Sequence, residues 1–104
     1  KAEWALLKDA KTLTADGKIH DQYRIEYLEA HIEQMRLAIE DGVEFLGYCP
    51  WSAIDLISTH EGFRKRYGFV YVNRDDFDLK DLSRHKKDSF YWFQDVIKHN
   101  GLNE

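Results

Sequence analysis

Between Asp21 and Gly42 apolar residues return at helical intervals: Ile25, Leu28, Ile32, Met35 and Ile39 follow at steps of three, four, three and four. That spacing lays one stripe along an amphipathic helix. Asp21 stands where an N-cap belongs, and Gly42 where a helix C-cap belongs. Directly behind comes VEFLGYCPW (43–51), short, apolar and bounded by Gly42 and Pro50. It reads as a strand covered on both faces, the kind found in sheets with helices outside. One such strand cannot make a sheet alone. The order therefore predicts an α/β protein, of which 104 residues supply a slice.

The remaining segments fit one small domain, with no repeat, low-complexity tract or linker. KAEWALLKDAKT (1–12) reads as a short amphipathic helix with Trp4, Leu7 and Leu6 on one face. Asp16-Gly17 is a chain reverser. Residues 52–67 read as a loop or irregular segment, and Phe69-Val70-Tyr71-Val72-Asn73 as a strand. RDDFDLKDLS (74–83) reads as a charged connection or a hairpin return. Residues 86–99 read as a second helix, with Phe90, Phe93 and Ile97 on one stripe, Trp92 and Val96 beside it, and Asn100-Gly101 at its end.

Several function classes fall away on composition. The net charge of −4 opposes general nucleic-acid binding, which needs a basic field. No apolar run approaches the roughly 18 residues of a membrane span, and no signal-peptide pattern is present. The chain opens at Lys1 rather than Met, as a processed or excised piece would. Cys49 is the single cysteine, so no internal disulfide forms, which fits a reducing compartment; it reads as a buried, inert thiol. His20, His31, His60, His85 and His99 show no metal-ligand spacing and read as surface or cap residues. Glycine-rich nucleotide loops and a serine-hydrolase elbow are absent, so neither cofactor nor metal is expected.

Two stretches carry chemistry. Trp51, at the end of the apolar strand, suits either a core or the floor of a sugar site, where a flat indole matches the C–H face of a pyranose. Arg64-Lys65-Arg66-Tyr67 places three cations and a phenol beside a strand in an acidic chain. If extended there, Lys65 and Tyr67 point to one side and Arg66 to the other, so an ammonium and a phenol can grip a phosphate, with the Ser58 hydroxyl as a third donor. The alternative is a solvated charge run.

GYCPWSAIDLIS, then KRYGFVYVN, then SRHKKDSFYWF resembles the C-terminal portion of glycoside hydrolase family 1, and looks closest to its 6-phospho-β-glucosidases. HDQYRIEYLEAHIEQM matches the family's helix between strands 7 and 8, so the resemblance covers about residues 12–101. It implies the last quarter of a (β/α)8 TIM barrel: helix 7, strand 8, the loop after it, a hairpin and helix 8, as one domain over residues 1–104. Members acting on plain glucosides carry Glu where this chain has Ser58. A carboxylate there repels a 6-phosphate, whereas Ser can donate to it. The resemblance implies that Ser58, Lys65 and Tyr67 bind the sugar phosphate and that Trp51 lines the sugar site. The family's catalytic acid/base, in an Asn-Glu-Pro motif, is expected to lie before this chain begins. Its nucleophile, in a Glu-Asn-Gly motif, has no counterpart near Glu3, which precedes Trp4-Ala5.

Two readings follow from the resemblance. In one, the chain is part of a cytoplasmic 6-phospho-β-glucosidase, a retaining hydrolase of 6-phosphorylated β-glucosides in carbohydrate metabolism. The chain then holds the phosphate-binding segment, lacks both catalytic carboxylates and is inactive by itself. In the other it is a non-catalytic barrel fragment with weak or no sugar-phosphate binding. Its exposed strand edges and apolar faces would meet the remainder of the barrel or copies of itself.

Overall fold

The computed structural model describes residues 13–57, 62 and 66–102. Four elements run in the order α1 (Gln22–Glu40), β1 (Val70–Val72), β2 (Arg84–Lys86) and α2 (Asp88–His99). The helix expected over residues 1–12 lies outside the described residues.

The periodic stripe does become α1, with Ile25 and Leu28 buried at its start. Asp41 closes it and Gly42 follows at φ +97°, in the left-handed region that glycine reaches without a Cβ clash. Asp21 holds the N-cap position, but its side chain makes no capping bond to an α1 amide, only an ion pair with Arg24 at 3.6 Å. Its carboxylate turns to the other helix instead, accepting from the Ser89 amide at 2.9 Å and from the Ser89 hydroxyl. The Ile19 carbonyl accepts from the next amide, Asp88 N–H, at 3.0 Å. The segment before α1 thus supplies partners for two of the first amides of α2, which no intrahelical carbonyl can reach. Asp88 in the first turn and Lys98 and His99 in the last complement the helix dipole. Asn100, left-handed at φ +53°, ends α2 as its sequence suggests.

β1 and β2 pair antiparallel, with Val70 opposite Lys86, Tyr71 opposite His85 and Val72 opposite Arg84. The return strand is therefore residues 84–86, residues 74–83 are the connection, and α2 starts at residue 88 rather than 86. Part of the segment read as irregular joins the sheet. Ile54 bridges Val70 in parallel, with Asp55 N–H to Val70 O at 3.0 Å and Val70 N–H to Ala53 O at 3.1 Å. The core gathers Ile19, Ile25, Leu28, Phe69, Tyr71 and Val72, and Phe69 stacks on Phe93 of α2 at 5.0 Å.

The expectation for residues 43–51 is corrected. No strand is assigned there, and Val43, Phe45 and Leu46 are exposed, Leu46 at 96%. Apolar content suits a strand to a covered sheet, but among the described residues no neighbour supplies its ladder bonds. Cys49, expected buried, is exposed for the same reason. The far half of the α1 stripe is also uncovered, with Ile39 at 54%. It faces a cleft of about 610 Å³ shared with Phe45, Leu46, Phe93 and Ile97.

Candidate sugar-phosphate site

Trp51 is 68% exposed, which removes the core alternative within this chain. The Trp51–Ser52 peptide bond is cis. Ser52 is buried and donates its N–H to the Tyr67 carbonyl at 3.2 Å, while its hydroxyl donates to the Ile54 carbonyl at 2.8 Å. The first of these bonds ties the backbone of the residue after Trp51 to that of half-buried Tyr67. Of the four residues singled out from sequence, Trp51 and Tyr67 are described, linked through the Ser52–Tyr67 backbone bond. Ser58 and Lys65 lie outside the described residues.

Arg66 departs from the extended geometry assumed for its stretch. Its φ is +38°, so simple alternation of side chains does not hold at this residue. The guanidinium is buried, donating to Val72 O at 2.7 Å, to Arg74 O at 2.6 Å and to Asp55 Oδ2 at 3.3 Å. It also lies 4.2 Å from the Tyr71 ring centroid. Asp55 is the hub. Its Oδ1 accepts from Lys87 Nζ at 2.8 Å and from the Gly68 amide at 3.0 Å, and its Oδ2 accepts from the Val72 amide at 3.4 Å. Lys87, 2% exposed, donates further to the Arg66 carbonyl at 3.3 Å. Sequence reasoning missed this cluster, because its members stand 11 and 32 positions from Asp55 and no local period links them.

Two cations share one carboxylate, so the cluster carries a buried excess of positive charge. Burial, opposed by the Asp55 charge, pulls the Lys87 ammonium from its ordinary 10.5 down to about 8. The unfolded chain keeps that proton to 10.5 while the folded chain releases it near 8, so unfolding takes up a proton between those values. Stability is therefore expected to gain from Lys87 as pH rises from 8 to 10.5. Denaturation midpoints compared with those of Lys87→Met isolate this slope; equal slopes in both proteins contradict it.

His20, His31 and His99 are exposed, as expected of surface or cap residues, whereas His85 is half-buried in the middle of β2. His20 Nδ1 pairs with Asp88 at 2.8 Å, His31 and His99 reach backbone carbonyls of their own helices, and His85 meets the Ser83 hydroxyl at 2.9 Å. Among the described residues, no group of three His, Cys, Asp or Glu side chains is placed to hold a metal ion, and no helix is long and apolar enough to cross a membrane.

Solved structures that superpose on this arrangement are glycosidases. A family 1 β-glucosidase from Thermotoga maritima matches with a TM-score of 0.79 and 46% identity, over 88% of this chain and 20% of that one. The chain belongs to glycosyl hydrolase family 1, whose pattern it matches over residues 7–102. It is 62% identical over 86 residues to the aryl-phospho-β-D-glucosidase BglC of Bacillus subtilis, covering 83% of this chain and 18% of the relative. It is 53% identical over 88 residues to a phospho-cellobiase of Klebsiella oxytoca, covering 84% and 19%. The chain thus spans about a fifth of the length of these relatives.

Proposed function

We propose that this chain is the sugar-phosphate-binding segment of a retaining 6-phospho-β-glucosidase of the cytoplasm, formed from the last quarter of a (β/α)8 barrel. In this reading α1 is helix 7, residues 43–51 occupy the place of strand 8 without forming a strand in this chain, β1 and β2 are the hairpin and α2 is helix 8. Ser58, Lys65 and Tyr67 grip the 6-phosphate, and Trp51 lies under the sugar ring. The observation that carries the reading is the Ser52–Tyr67 backbone bond of 3.2 Å, which ties the residue after exposed Trp51 to the segment that ends in Tyr67. The names of the two bacterial relatives support the phosphorylated substrate, and so does Ser58 in place of the carboxylate that plain glucosidases carry. A retaining glycosidase needs two carboxyl groups about 5–5.5 Å apart. The sequence contains neither the Asn-Glu-Pro nor the Glu-Asn-Gly motif, so hydrolysis by this chain alone is not expected.

A second reading, a non-catalytic fragment that self-associates, is favoured by the uncovered apolar cleft between α1, residues 45–48 and the end of α2. Titration with glucose 6-phosphate and glucose separates the two. The first reading expects preference for the phosphorylated sugar, reduced roughly tenfold or more by Ser58→Glu, which exchanges a charge-assisted donor for a repelling carboxylate. Affinity unchanged by that substitution removes Ser58 from the clamp.

A further inference from the structure

We infer that Arg66 is a positioning residue for the phosphate clamp, setting Tyr67 without touching the ligand itself; this rests on the function proposed above. Arg66 stands between two of the proposed phosphate donors, one peptide bond from each. A third cation in such a run would ordinarily face solvent or the anion. This one is withdrawn, its fork spent on the Val72 and Arg74 carbonyls and the Asp55 carboxylate.

The backbone is held as tightly as the side chain. The Arg66 carbonyl accepts from Arg24 Nη2 at 2.7 Å and from Lys87 Nζ at 3.3 Å. The Tyr67 carbonyl accepts from Ser52 N–H at 3.2 Å, and the Gly68 amide donates to Asp55 at 3.0 Å. Arg66 sits at φ +38°, a conformation an L-residue keeps only when its surroundings hold it. Four segments, those of Arg24, Ser52–Asp55, Val72–Arg74 and Lys87, converge on this one residue. Such a support shell fixes a neighbouring side chain's direction before a ligand arrives and removes the ordering cost from binding.

The chain titrated with glucose 6-phosphate and with glucose, alongside Arg66→Met, tests this. The expected result is that the folded variant loses at least tenfold of its preference for the phosphorylated sugar while glucose binding is unchanged, a split that general loosening of the fold does not produce. A folded Arg66→Met that keeps the wild-type preference overturns the inference and leaves the clamp itself standing. Absence of any preference in the wild type overturns the clamp, and the positioning role with it. Amide ¹⁵N relaxation on the wild-type chain gives a decision that needs no variant to fold. Tyr67 is expected to be rigid without ligand, with an order parameter of about 0.85 that glucose 6-phosphate does not change. A value below about 0.6 that rises on binding shows that the ligand, not Arg66, orders the segment.

Discussion

Asp55→Asn is expected to lower the free energy of unfolding by about 3–5 kcal/mol, the range for breaking a buried ion pair by removing one partner's charge. The substitution keeps the shape of the side chain and changes its charge by one unit. Its consequence follows from what surrounds it. Arg66 and Lys87 both face this carboxylate from within the fold, at 3.3 and 2.8 Å. With Asn, both buried cations lose the carboxylate between them, Arg66 keeping the exposed Asp75 at 4.0 Å, and the new amide N–H₂ must point at one of them. The Gly68 and Val72 amides compete for the single oxygen that is left. Domains of this size hold only about 5–15 kcal/mol in total, so the loss takes up much of the margin. Urea unfolding followed by far-ultraviolet circular dichroism measures it. A decrease below about 1 kcal/mol means that water or a moved backbone satisfies both cations, and that the cluster does not anchor the sheet.

Gly68→Ala is expected to cost about 3 kcal/mol or more, for a reason of space rather than charge. A Cβ at this position would stand 2.2 Å from the Asp55 amide nitrogen and 2.3 Å from the Ile54 carbonyl carbon. Both are backbone atoms, so no rotamer change relieves the clash. The stretch around residues 52–55 has to move away from β1, which stretches the Phe69–Ala53 and Val70–Ala53 bonds of 3.1 Å each and the Asp55–Val70 bond of 3.0 Å. Gly47→Ala is the matched control. Nothing lies within 4 Å of its added Cβ, so it is expected to change stability by less than about 1 kcal/mol in either direction. Thermal unfolding of the two variants side by side is the check, and similar midpoints refute the close approach at Gly68.

Where the sequence was read correctly, the signal was local and repeated. The α1 stripe, the Asp16-Gly17 turn with Gly17 at φ +77°, and the Asn100-Gly101 stop are each written within a few residues. Where the reading went astray, the deciding partner was distant. Asp21 occupies the cap position of α1, yet bonds to Ser89, because the start of α2 lies within reach only in three dimensions. Residues 43–51 have the composition of a covered strand, but composition reports what a segment suits, not what is present to cover it. The candidate site divides the same way. Trp51 and Tyr67 stand in a family motif, and the backbone bond from Ser52 to Tyr67 links their two segments. The Asp55–Arg66–Lys87 cluster carries no pattern in one dimension, and Arg66 was read only as pointing away from Lys65 and Tyr67, with no partner assigned.

The Asp21–Ser89 clasp also bears on the order of events in folding, because it joins residues 68 positions apart. Closing so long a loop costs chain entropy on the order of 4 kcal/mol, which has to be met before the clasp's two bonds form. The turn of α1 and the β1–β2 hairpin close much shorter loops and can form first. The clasp is then expected to close over elements already assembled, and Ser89→Ala to speed unfolding more than it slows folding in stopped-flow measurements.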